Sequence, residues 1–227
     1  MTLRLVSLPS LLGLLGLPAF LAGCYATQAT VIDSKGGQTI QQAQAAQWNG
    51  PQKRIAVSAF EFRANEGSGD VGGGMTDMLT NALFNSGRFI VLERERLEEV
   101  TAEQDRANSG RFKKETMAPK GELEGAELLI RGSVTEFEPN CKGGSVLVAA
   151  GKVACMAINI RIVDAKTGRV VNATTVAGTS ADNRVGFIFT RGSGLPVGLG
   201  AYKNTPMEAA IRNCIETAVQ HIVDTKL

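Results

Sequence analysis

The chain has 227 residues, 44% of them hydrophobic and only 5% aromatic, with 26 glycines and a formal net charge of +2. So small a charge gives no electrostatic grip on a phosphate backbone, which excludes nucleic acid as a partner. Beyond the amino-terminal region no stretch reaches the ~18 to 20 apolar residues of a membrane helix, so further membrane contact has to come from acyl chains or β-strands.

Residues 1–23 read as a lipoprotein signal peptide. Arg4 supplies the positive start, and Leu5 to Phe20 form an apolar run of signal-peptide length. Leu21-Ala22-Gly23-Cys24 closes that run as a bacterial lipobox. The small Ala22 and Gly23 let a peptidase approach the bond before Cys24, whose thiol is the nucleophile that takes the diacylglyceryl group. Tyr25 follows where an inner-membrane protein would carry Asp, so outer-membrane delivery on the periplasmic face is expected. Residues 24–52, rich in Gln, Ala, Thr and Gly, are expected to be a lipidated start and flexible tether.

A folded domain is expected over residues 53–227. Arg54 to Phe62 reads as one strand, Gly67 to Gly74 as a glycine-rich loop, and Met75, Met78, Leu79, Ala82 and Leu83 recur at helical spacing up to Gly87. Arg88 to Glu93 is the next strand. A charged helix follows with Leu97 and Val100 on its apolar side. After a polar connection at 107–122, strands resume at Glu127 to Phe137. Ile158, Ile160 and Ile162 then alternate as a half-buried antiparallel strand does. Asp164 to Gly168 is a turn, and Arg169 to Ala177 the returning strand. Thr205, Pro206 and Glu208 mark the start of a last helix whose buried stripe is Met207, Ile211, Cys214, Ile215, Ala218 and Ile222. The expected class is α/β (α+β), one domain with a β-α-β start, antiparallel strands and a carboxy-terminal helix.

Gly67-Ser68-Gly69-Asp70-Val71-Gly72 matches G-x-G-x-x-G, and Glu93 follows at the spacing of a ribose-binding acid. Four residues separate the first glycine from Phe62, too loose a turn to aim a helix at a pyrophosphate. Glu66 and Asp70 also place negative charge where phosphates would lie. No cofactor is expected. The only histidine is His221, the cysteines lack C-x-x-C spacing, and neither G-x-S-x-G nor H-E-x-x-H occurs, so neither a metal centre nor an enzyme is expected. Glu93, Glu95, Glu98, Glu99 and Glu103 alternate with arginines and read as a solvated or partner-facing surface.

Two insertions interrupt the antiparallel strands, at 139–155 and 181–204. In the second, Val185, Phe187 and Phe189 alternate with other residues before Arg191-Gly192-Ser193-Gly194, and Leu195, Val197 and Leu199 alternate after it. That is the pattern of a β-hairpin with one apolar face, either a membrane hairpin or a loop packed in an oligomer. A lone hairpin cannot cross a bilayer with its edges unpaired, so the membrane alternative requires several copies to close a barrel. Cys141 and Cys155 flank the first insertion, and outside the inner membrane a disulfide between them is permitted. Cys214 reads as a small core residue.

Several ordered segments carry a family resemblance: Arg54 to Ser58, Leu79 to Leu83, Arg88 to Arg94, Gly132 to Val134, Asn159 to Val163, Thr167-Gly168, and Ala210 to Thr217. Together with the lipobox, the chain resembles the CsgG family of outer-membrane lipoproteins of curli-type fibre secretion and their holdfast-anchoring relatives. The resemblance implies a periplasmic α/β domain with two β-hairpins per subunit, and a homo-oligomeric ring that closes one barrel. It also implies a secreted fibre subunit or surface polymer as cargo, with periplasmic accessory proteins. The family's pore-lining loop corresponds here to Arg63 to Gly74, which holds no aromatic and only Asn65, so no constriction residue is assigned. The alternative from another class is a non-pore lipoprotein that acts as an adaptor or regulator of envelope assembly machinery.

Overall fold

The computed structural model describes residues 28–31, 50–65, 70–141, 153–180, 195–196 and 198–225. Its strands are β1 (Gln28–Val31), β2 (Lys53–Val57), β3 (Glu61–Phe62), β4 (Phe89–Leu92), β5 (Leu128–Glu138), β6 (Ala154–Asp164) and β7 (Val170–Ser180). Its helices are α1 (Val71–Asn85), α2 (Leu97–Ala107) and α3 (Pro206–Asp224), with 3-10 turns at Lys114–Thr116 and Gly200–Tyr202. The strands form one open mixed sheet in the order β1-β7-β6-β5-β2-β4, with β3 extending the line of β2 beside β5. The chain has the α+β organisation expected of it.

Strand β2 is parallel to both β4 and β5, and Ile55, Ala56 and Val57 are buried in succession, as befits a central parallel strand. Helix α1 covers this half of the sheet with Met75, Met78, Leu79, Ala82 and Leu83. It stops where Gly87 takes a φ of 66° and the Ser86 hydroxyl donates to the Leu83 carbonyl at 2.6 Å. The other half is the antiparallel trio β5-β6-β7. Ile130, Ile158, Ile160, Ile162 and Val176 point to the helices, and the intervening residues point away. Helix α3 lies on this half beside α1, with its predicted stripe from Met207 to Ile222 buried. The β6–β7 turn is closed by Asp164, whose carboxylate accepts the Thr167 N–H at 2.7 Å. Gly168 (φ 71°) completes it.

Four corrections to the sequence reading concern the strands and the first two helices. Residues 28–31 of the supposed tether are a strand, β1, paired antiparallel with Val176 to Thr179 of β7. The strand read over 54–62 is broken at 58–60. There the Phe60 ring lies across Gly132, and its N–H donates to Thr76 Oγ1 at 3.0 Å. Helix α1 begins at Val71, so Gly72 to Gly74 are helical rather than loop. A Cβ at Gly72 would meet the Phe60 carbonyl oxygen at 2.5 Å, which accounts for one of those glycines. Finally, Val100 on α2 is 38% exposed, so the apolar side predicted for that helix is not a core face.

Candidate functional site

Strands β5 and β7 end, and β6 begins, at the same end of the sheet: Glu138 pairs with Cys155 and Ala154 with Ser180. The loop after β3 leaves there too, because Phe62 is paired with Val134 near the end of β5, and α1 starts there after Asp70. Both insertions and the 63–70 loop therefore spring from one edge of the domain. Cys24, Val185, Phe187, Phe189 and Val197 lie outside the described residues.

The base of the first insertion is closed. Cys141 and Cys155 form a disulfide with Cα atoms 5.7 Å apart, and Cys141 N–H donates to the Val153 carbonyl at 2.9 Å. Beneath it Phe137 is buried edge-on between Phe62 (ring centroids 5.8 Å) and Tyr202 (5.0 Å). This aromatic ladder ties the end of β3, the end of β5 and the return from the second insertion to one another. Nothing in the sequence spacing announces it, since its members lie on three separate segments.

The return leg of the second insertion departs from the predicted hairpin. Leu195 packs against the core and Leu199 is fully buried in it. Gly198 takes a φ of 94° against the Asp70 carbonyl, where a Cβ would overlap the backbone. Residues 200–202 then form a 3-10 turn. Leu195 and Leu199 are spaced for one face of a turn as well as for alternation, and burial against the domain decides between them. Among the described residues of 195–199 there is no strand, where the alternation predicts one leg of a hairpin.

Helix α3 is anchored at this end by a buried charge pair. The Glu208 carboxylate accepts the Asn204 N–H at 2.7 Å, and its other oxygen takes two N–H groups of Arg212, each at 3.0 Å. Thr205 and Glu208 have the spacing of a capping box, but the arrangement is shifted by one: Glu208 reaches the Asn204 N–H, and the Thr205 hydroxyl donates to the Tyr202 carbonyl at 2.6 Å. An acid and a base four apart on a helix are the signal for such a pair.

The remaining reactive groups are quiet. Burial, with a smaller push from Glu136, raises the Cys214 thiol to about 12, so it is inert. His221 sits at the far end of α3, its ring nitrogen 3.1 Å from the Asn172 amide oxygen, and burial lowers its pKa. Among the described residues no three His, Cys, Asp or Glu side chains gather to hold a metal ion. Among the same residues no helix is long and apolar enough to cross a membrane.

The domain is thus an open α+β sheet with two helices on one face and the bases of both insertions at one end. The family model for the "Curli production assembly/transport component CsgG" matches residues 37–227, and the chain belongs to that family. It is similar to the curli production assembly/transport components CsgG of Salmonella typhimurium and Escherichia coli, 28% identical to each over 165 residues. The match covers 66% of this chain and 60% of each relative. The chain thus spans about 60% of the length of these curated relatives. Among solved structures it is similar to a hypothetical protein of Chlamydia trachomatis, with 10% identity, 76% of this chain and 96% of that one covered, and a TM-score of 0.47. The PelC dodecamer of Paraburkholderia phytofirmans is another, with 14% identity, 82% and 99% covered, and a TM-score of 0.36.

Proposed function

We propose that this protein is an outer-membrane lipoprotein that forms a ring and exports or anchors a surface fibre or polymer. Residues 1–23 are the leader, Cys24 carries the acyl chains, and residues 53–227 are the periplasmic domain. The observation that carries the reading is the convergence of both insertions and the 63–70 loop on one end of the sheet. Subunits ranged side by side with that end toward the bilayer would bring their second insertions together. Only such pooling satisfies the edges of a hairpin in hydrocarbon. The relatives' description as assembly and transport components supports it.

A second reading, a non-pore adaptor or regulator of envelope assembly, is favoured by two observations. The disulfide closes the first insertion at its base, and Leu199 belongs to the domain core. Negative-stain images of detergent-extracted protein separate the two. Rings with a central opening support the channel, and uniform monomers overturn it in favour of the adaptor.

A further inference from the structure

The direction of β1 decides at which end of the sheet the chain coming from Cys24 enters the domain. Gln28 pairs with Thr179 and Val31 with Val176, so β1 starts where β7 leads into the second insertion and runs away from that point. Glu138 meets Cys155 and Ala154 meets Ser180 at this same end, the base of both insertions. Only Tyr25, Ala26 and Thr27 separate Cys24 from Gln28. Whatever path they take, four steps of chain span at most ~14 Å, which bounds the distance from Cys24 to Gln28.

The need to cover an edge explains why a strand lies beside β7, since the unpaired N–H and C=O groups of an edge invite another chain. It does not explain the direction. A strand parallel to β7 covers the edge too, but it would receive the chain from Cys24 at the β6–β7 turn. With 11 residues in β6, that turn lies about 30 Å from the base of the insertions. Only the antiparallel direction brings the anchor and the insertions to one end. A free tether over 24–52 would instead have a reach of roughly 30 Å and leave the domain in any orientation to the lipid.

We infer that β1 orients the domain on the membrane: paired with β7, it holds the insertion end of the sheet at the lipid surface and the β6–β7 turn away from it. This rests on the acylation of Cys24 proposed above and is independent of the ring. The partner is the bilayer surface around the acyl chains. What faces it is the end of the sheet that carries the Cys141–Cys155 bridge and the return of the second insertion. A short leash raises the effective concentration of these segments at the surface, where a long one dilutes it.

The test uses the full lipidated chain in phosphatidylethanolamine–phosphatidylglycerol vesicles with an energy-transfer acceptor on the headgroups. A donor dye is placed at Lys203→Cys, next to Tyr202 at the insertion end, or at Lys166→Cys in the β6–β7 turn, both exposed positions. Wild type is expected to transfer strongly from residue 203 and weakly from residue 166. Two variants release the orientation by different routes. Ala29→Pro/Thr30→Pro breaks the pairing, because neighbouring N–H groups point to opposite sides of a strand and one of the two prolines removes a donor to β7. Inserting about twelve Gly and Ser residues between Thr27 and Gln28 keeps β1 but lengthens the leash to about 50 Å. In both, the ratio of the two transfers is expected to fall to near unity. Circular dichroism checks folding, and if the proline variant is unfolded the lengthened leash alone decides. A ratio that the lengthened leash leaves at its wild-type value overturns the inference. Intact-mass spectrometry of the same wild-type preparation separates the two claims. A Cys24 without acyl groups overturns the anchor reading and the inference together, whereas an acylated chain with a ratio near unity overturns the inference alone.

Discussion

The ring of Phe60 occupies the space that a side chain at residue 132 would need, and Gly132 leaves that space open. The contact explains why the first long strand is broken. Ser58 N–H still donates to the Ile130 carbonyl at 2.8 Å, but the chain then leaves the ladder so that Phe60 can cross β5 and enter the core, and β3 resumes beside β5 afterwards.

Gly132→Ala is expected to destabilise the domain by about 1–3 kcal/mol, because the added methyl collides with a packed ring. Phe60→Ala leaves a cavity and is expected to cost about 3–5 kcal/mol. The double variant loses less than the sum of the two, since removing the ring makes room for the methyl. Urea unfolding of the four proteins measures the coupling, and strict additivity would show that the two positions do not compete for space.

This contact also marks the boundary of what could be read in advance. The α1 and α3 stripes and the Ile158-Ile160-Ile162 alternation were legible because each element buries a single face, so its period survives in the sequence. The break at 58–60 was not, because it depends on a glycine more than seventy residues away. Strand β1 was hidden for the same reason: its pairing with β7 is long-range, and Gln28 to Val31 is too short to show a period. At the candidate site, the position of both insertions followed from the strand pattern. The Phe62–Phe137–Tyr202 ladder and the core seat of Leu199 did not, since tertiary contacts alone define them.

The Cys141–Cys155 disulfide, with 14 residues of sequence separation, restricts a short loop of the unfolded chain. Replacing both cysteines by serine is expected to cost about 2–3 kcal/mol by loop-closure entropy. Oxidised protein should give no labelling of either residue by a thiol reagent under denaturing conditions until it is reduced. Labelling of both without reductant would show that the bridge does not form.

Glu216 on α3 is raised from 4.5 to about 7 by burial, and Gln220 donates to it at 3.1 Å. A carboxyl whose folded pKa exceeds its unfolded one stabilises the fold below the unfolded value, and that contribution is lost as pH climbs through the folded value. Wild type should therefore lose stability between pH 4.5 and about 7 relative to Glu216→Gln, which stays neutral throughout. Parallel melting curves for the two proteins across that range would expose a Glu216 with no such shift.

Cys24→Ala removes the proposed lipid attachment, and the protein is expected to stay in the soluble or inner-membrane fraction. Two or more acyl chains make anchoring stable where one is marginal, so the whole outer-membrane pool should be affected. If the variant still sedimented with the outer membrane in amounts equal to wild type, another part of the chain would be the principal attachment.

Glu208 and Arg212 test how α3 is fastened beneath the insertions. Both are buried, and Glu208 joins Arg212 to the Asn204 backbone at the start of the helix. Arg212→Met strands a buried carboxylate and is expected to cost about 3–5 kcal/mol, because a charge left unpaired in the interior keeps its full desolvation penalty. Glu208→Gln added to Arg212→Met removes that charge while the amide oxygen still accepts the Asn204 N–H. The double variant should therefore be more stable than Arg212→Met alone. Chemical denaturation of the three proteins decides the point. A double variant no better than Arg212→Met would mean that packing of the arginine stem, rather than its charge, holds the helix in place.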